Sequence, residues 1–170
     1  MDRRTRYTRM VIKEALLDFL EKKSLSEITV KEICQVAEIN RATFYRHYLD
    51  IYDLFEQMEQ ELTETAFSSG DLTQDRYQLL HIIYENQVFY KEFFRSRLES
   101  RFIKQTLERI YQEMKEGLQV TDERVFQITF QYNYHGALGV IKDWLEAGCL
   151  ESPKELGDIL FAIVEKQYRF

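Results

Sequence analysis

Apolar residues recur at steps of three and four along almost the entire chain, and a single proline and six glycines in 170 residues do little to interrupt them. A chain patterned in this way favours long helices and offers little for strands, since no stretch of the body alternates apolar and polar residues with period two. Apolar residues make up 45% of the total, enough to fill a core, so order is expected nearly throughout. The expected fold class is all-α.

The first helix is marked by Ile12, Ala15, Leu16, Phe19 and Leu20, with Glu14, Asp18 and Glu21 on its other faces, and is expected over about residues 5–23. Thr29 and Glu32 form a capping box that opens a short second helix burying Val30, Ile33 and Ala37. Only Glu38 and Ile39 then precede Asn40, a good N-cap for a third helix that runs through Phe44 to Tyr48. Two short helices joined by so tight a turn predict a helix-turn-helix. Asp50 caps a fourth helix carrying Ile51, Leu54, Phe55, Met58 and Leu62 as far as the Ser68-Ser69-Gly70 break. Residues 1–49 are accordingly read as one domain and 50–170 as a second, with Asp50–Ser68 as the connecting helix.

Three further helices are expected before Thr121 and two after it. In the first of the last pair, Phe126, Phe130, Asn133, Ala137, Val140 and Trp144 alternate steps of four and three, the spacing of a seam packed on another helix. Ser152-Pro153-Lys154-Glu155 opens the last, supplying an N-cap, a proline at the first helical position and a capping glutamate, with Leu156, Ile159, Leu160, Ile163 and Val164 behind them. Phe130, Ala137, Val140 and Trp144 on the one helix, and Leu156, Ile159, Leu160 and Ile163 on the other, are the faces expected to pack against helices.

Net charge is −6, which alone disfavours a polyanionic partner, but the distribution is uneven. Residues 1–48 hold ten Lys and Arg against seven Asp and Glu, and the remainder thirteen against twenty-two. The basic excess therefore coincides with the helix-turn-helix. At about 100° per residue, the third helix turns Phe44 and Tyr48 to one side and Ala42, Thr43 and Arg46 to the other. Arg41, Ala42, Thr43 and Arg46 are candidates for base edges, because arginine forks onto guanine and small side chains approach the thymine methyl. Tyr45, His47, Thr29 and Lys31 are candidates for phosphates, with Arg3, Arg4, Arg6 and Arg9 adding attraction independent of sequence.

Other classes find little support. No window approaches the roughly 18 apolar residues of a membrane span, and the N-terminus lacks an apolar signal, so a cytoplasmic protein with no membrane partner is expected. Two cysteines, Cys34 and Cys149, support neither a disulfide framework nor a four-ligand zinc site, and no cofactor or metal is expected. His81 and His135 could act as bases, but there is no phosphate loop, HExxH or nucleophile elbow, so the chain is not expected to be an enzyme.

Residues 28–55, ITVKEICQVAEINRATFYRHYLDIYDLF, resemble the DNA-binding signature of the TetR/AcrR family of bacterial transcriptional regulators, and YHGALGVIKDWLEAGCLESPKEL resembles that family's last two helices. The resemblance implies an N-terminal helix-turn-helix DNA-binding domain and a helical C-terminal ligand-binding and dimerisation domain. It implies a homodimer whose interface is formed by the last two helices, here through Phe130, Ala137, Val140, Trp144, Leu156, Ile159, Leu160 and Ile163, where Gly136 and Gly139 would permit close helix approach. It implies a repressor that occupies a palindromic operator on double-stranded DNA and is released by a small-molecule effector. Tyr84, Phe93, Phe94, Phe102, Tyr132 and His135 are then candidates to line the effector pocket. Two positions depart from the family pattern: Glu38 stands where a turn glycine is common, and Ile51 where many relatives carry lysine. The alternative is a TetR-like protein-interaction module or co-regulator that binds no operator itself.

Overall fold

The structure, a computed structural model, describes residues 3–68, 72–96, 101–117 and 122–168. Nine α-helices account for most of the described residues, with no strand among them, as the periodicity requires. They are α1 (Arg3–Leu20), α2 (Val30–Val36), α3 (Arg41–Tyr45), α4 (Ile51–Ala66), α5 (Leu72–Glu85), α6 (Gln87–Ser96), α7 (Arg101–Gly117), α8 (Glu123–Glu146) and α9 (Pro153–Tyr168), with a 3₁₀ turn at Leu25–Glu27. No described helix is long and apolar enough to cross a membrane.

The chain divides into two compact units. The first comprises Met1–Leu62 and Val88–Leu98, so it extends beyond the 49/50 boundary read from the sequence into α4, and it takes in α6. Its core contains Ile12 and Leu16 from α1, Ile33 from α2, Phe44 from α3 and Leu54 from α4, all essentially without solvent contact. Phe89 of α6 stacks on Phe55 of α4 with ring centroids 4.3 Å apart. A buried carboxylate ties the same helix to the α1–α2 connection: Glu92 is 4% exposed and accepts the Leu25 N–H at 2.8 Å, while Arg95 pairs with its other oxygen.

In the second unit α5 packs on α9. Gly157 makes this possible, because a Cβ there would lie 2.7 Å from Cε1 of Tyr77, whose ring meets Phe161 edge-on and whose hydroxyl donates to Asp158 at 2.7 Å. Ser152 and Glu155 form the expected capping box at the start of α9. The seam of α8 packs within the chain: Phe126 and Phe130 each lie close to the Tyr111 ring of α7, and Trp144 stacks on Tyr84 of α5 and donates to the Glu151 carbonyl at 3.0 Å.

These contacts correct part of the expected interface. Trp144 and Leu156, each 4% exposed, belong to the core of the chain itself, and Phe130, Ala137 and Leu160 are half-buried. Val140, Ile159 and Ile163 remain exposed. The four-three spacing identifies a packed seam without saying whose helix fills it, and here α7 and α5 do. The outward stripe of α8 is set about 120° round the helix and carries Val125, Ile128, Tyr132, Gly136 and Gly139.

The expected pocket residues are also redistributed. Tyr132 is 70% exposed and His135 is exposed, so both belong to the outer surface of α8 and line no interior. Phe93 is buried in the first unit beside Tyr90 and Phe94, and Tyr84 keeps part of its ring exposed against Trp144. The Phe102 side chain lies outside the described residues.

Candidate nucleic-acid interface

Two short helices hold their shape because their ends are capped. At α2 the Glu32 N–H donates to the Thr29 hydroxyl oxygen at 3.3 Å, while the Thr29 N–H and hydroxyl both donate to the Glu32 carboxylate, at 3.0 and 2.7 Å. Lys23 reaches the other Glu32 oxygen at 2.7 Å, and these bonds, Lys23 foremost, bring the carboxyl pKa down to about 2. At α3 the Asn40 side-chain Oδ1 accepts the Thr43 N–H at 2.8 Å and the Thr43 hydroxyl at 3.0 Å. The turn between them passes through Glu38 at φ 52°, the left-handed conformation for which a glycine would be better suited, at a cost of about 1 kcal/mol.

The face of α3 that remains outward is rich in donors. Phe44 and Tyr48 anchor the helix, with ring centroids 5.6 Å apart. Arg41, Ala42, Tyr45 and Arg46 are exposed, and neither arginine makes a hydrogen bond or ion pair among the described residues. Asn40 holds the Thr43 hydroxyl hydrogen, so that side chain offers an outside partner an oxygen acceptor and a methyl group. Lys31 is exposed on α2, whereas the Thr29 hydroxyl hydrogen is committed to Glu32 and donates outward only if that bond breaks.

A groove of about 610 Å³ separates α1 from α3. Arg4, Thr5 and Thr8 line one wall, and Glu38, Ile39, Asn40, Thr43, Arg46 and His47 the other. Burial and the nearby Arg9 and Arg46 charges push the His47 pKa below its usual 6.5, so the imidazole is neutral at pH 7. Sequence reasoning treated the N-terminal arginines only as diffuse attraction. The signal it passed over is that Thr5, Thr8 and Arg9 share the wheel sector of Ile12, so the core-facing stripe of α1 continues in polar form beside α3.

Arg9 does not face that groove. Its Nε donates to the Tyr48 hydroxyl at 3.2 Å, and its Nη2 donates to Gln57 Oε1 at 3.2 Å and Glu61 Oε1 at 2.8 Å. Partial burial opposes the charge, but the Tyr48 and Glu61 partners outweigh it and raise the Arg9 pKa.

The TetR-family profile described as the transcriptional regulator C-terminal region matches residues 71–166, more than half of the chain. The chain belongs to the TetR family of transcriptional regulators. It is 22% identical over 174 residues to YxbF of Bacillus subtilis (strain 168), an uncharacterized HTH-type transcriptional regulator, covering 92% of this chain and 44% of that protein. It is 29% identical over 91 residues to DhaS of Lactococcus lactis subsp. lactis (strain IL1403), the HTH-type activator of the dhaKLM operon, covering 51% of this chain and 49% of that one. The TetR-family chain thus spans less than half the length of the curated relatives it matches. Among solved structures, the fold resembles the dihydroxyacetone kinase operon activator DhaS, with a TM-score of 0.70, 19% identity and 95% and 96% of the two chains covered. It also resembles NalD of Pseudomonas aeruginosa, the secondary repressor of the MexAB-OprM multidrug efflux pump, with a TM-score of 0.63, 22% identity and 97% of both chains covered. At these identities the structural likeness establishes the TetR-family fold alone. One departure from the family pattern has a structural reason: Ile51 is 5% exposed, so it fills the core where a lysine would reach outward.

Proposed function

We propose that this TetR-family chain is a sequence-specific DNA-binding repressor, in which α3 enters the major groove and the α1–α3 groove receives the flanking phosphates. The observation that carries the reading is the division of α3 into an anchored aromatic side and an outward side with two uncommitted arginines. Arg41 and Arg46 suit guanine edges and the Thr43 methyl suits thymine. Tyr45, His47, Lys31 and Arg4 suit phosphates.

Dimerisation belongs to the same reading. Val125, Ile128, Tyr132 and Val140 of α8 and Ile159 and Ile163 of α9 expose large apolar side chains, and a Cβ at Gly136 or Gly139 would meet nothing within 4 Å in this chain. Apolar side chains next to bare backbone suit close approach of a second copy's helices. Two readers on one two-fold axis would then meet successive major grooves roughly 34 Å apart, which makes the operator palindromic. A small molecule bound among the body helices that favours another spacing releases the DNA.

The test is an anisotropy titration of the purified protein against duplexes from its own upstream DNA and scrambled controls at several salt concentrations. Expected are a clear preference for one duplex and a steep salt slope, with Arg41→Ala weakening that preference by about 1–3 kcal/mol. A folded protein with no preference over scrambled DNA overturns the proposal in favour of a co-regulator. Reporter expression with and without the protein decides the sign: the DhaS relative is named an activator and NalD a repressor, and lower expression with the protein present is expected.

A further inference from the structure

We infer that Arg9 is a positioning residue of the DNA reader, fastening α3 to α4, and takes no part in holding phosphate; the inference rests on the DNA-binding reading above. One guanidinium from α1 spans three side chains: the Tyr48 hydroxyl just beyond α3, and Gln57 and Glu61 on consecutive turns of α4. Lys13, one turn further along α1, pairs with the second oxygen of Glu61 and holds that carboxylate in place. Gln57 in turn donates to both oxygens of Asp53 at 3.1 Å, and Asp53 accepts the Leu49 N–H at 2.7 Å. An unbroken set of polar bonds therefore runs from α1 along α4 into the backbone of the segment that links α3 to α4.

The arrangement needs arginine. Nε and Nη2 point to different partners in a fixed fork, whereas a lysine ammonium is one point on a flexible stem and cannot satisfy Tyr48 and the α4 pair together. Tyr48 is 2% exposed, so without Arg9 its hydroxyl loses the partner that compensates its burial. Phe44 and Tyr48 anchor α3 by ring packing, which fixes depth better than rotation. The hydroxyl bond supplies the rotational constraint, and rotation decides whether Arg41 and Arg46 point at base edges.

The experiment compares Arg9→Lys, Arg9→Gln and Tyr48→Phe with the unmodified full chain, each first shown folded by circular dichroism and thermal melting. Affinities for the preferred duplex and for scrambled duplex are read across a salt series. Expected is about a tenfold loss on the preferred duplex for Arg9→Lys and Tyr48→Phe, with scrambled-duplex affinity unchanged. A variant carrying both Arg9→Lys and Tyr48→Phe is expected to lose little more than Arg9→Lys alone, because the two changes break one bridge. Arg9→Gln is expected to keep the salt slope of the unmodified chain, whereas loss of a phosphate contact lowers it by about one. A residue that only stabilised the fold would leave both affinities of the folded protein unchanged, and that outcome overturns the inference. So does a slope reduced by about one in Arg9→Gln, or a Tyr48→Phe protein that binds the preferred duplex as before. An unmodified protein with no duplex preference overturns the DNA-binding reading and this inference together.

Discussion

His47 lines the groove with Arg4 and Arg46, and on the DNA-binding proposal its charge state is expected to couple pH to binding. In the free protein burial, with the Arg9 and Arg46 charges, holds its pKa below the usual 6.5, so protonation is disfavoured. On that proposal a phosphate in the groove would favour the imidazolium. The bound state would then hold more protons than the free state, and affinity is expected to rise as pH falls through the region of the ordinary 6.5. In His47→Gln the same titration is expected to be flat, which anisotropy at constant ionic strength checks. For folding the sign is opposite: a depressed histidine pKa means that the unfolded chain takes up the proton more readily, so stability falls as pH drops through 6.5. Glu32 contributes in the same direction at lower pH, its stabilisation present above the ordinary 4.5 and lost as pH falls toward about 2.

At the scale of elements, Gly157 makes a prediction whose sign depends on its neighbour. A glycine inside α9 gives up about 1 kcal/mol of helix propensity relative to alanine. Gly157→Ala should nevertheless destabilise the chain by about 1–2 kcal/mol in urea unfolding, because the new methyl meets a Tyr77 ring that Asp158 holds in place. In a Tyr77→Ala background the same substitution is expected to stabilise. Much at this scale was legible from the sequence. The caps at Thr29, Asn40, Asp50 and Ser152 act through bonds within three residues, so local pattern reports them directly. The donor face of α3 was legible for the same reason, since one helical turn separates Phe44 from Tyr48. Arg9 was not, because its partners lie 39 to 52 residues away and an arginine near the start of a chain reads as solvated. Trp144 was misplaced because periodicity marks a buried face without naming the helix that covers it.

At the scale of the whole molecule, the outward glycines of α8 give the sharpest test of dimerisation. Gly139→Leu adds a side chain where this chain has open space, so the protomer should fold at least as stably as before. If α8 approaches its copy there, light scattering will report a monomer, and operator affinity will fall with the loss of the second reader. An unchanged mass would move the interface elsewhere. Trp144→Asp should behave differently, disrupting the fold, because it places a carboxylate in a buried site next to Tyr84.

The Glu92 bond to the Leu25 backbone has a further consequence, for biosynthesis. The unit that contains the reader is assembled from two stretches of sequence separated by α5, and the second supplies both a buried acceptor and the ring stacked on Phe55. During translation, at roughly 5–20 residues per second, α3 leaves the ribosome some seconds before α6 does. Through that interval the first unit lacks the ring and the buried acceptor that α6 supplies. The first unit therefore has its complete core only once α6 has been made, and on the DNA-binding proposal a chain truncated before α6 is expected to bind duplex DNA more weakly than the full chain.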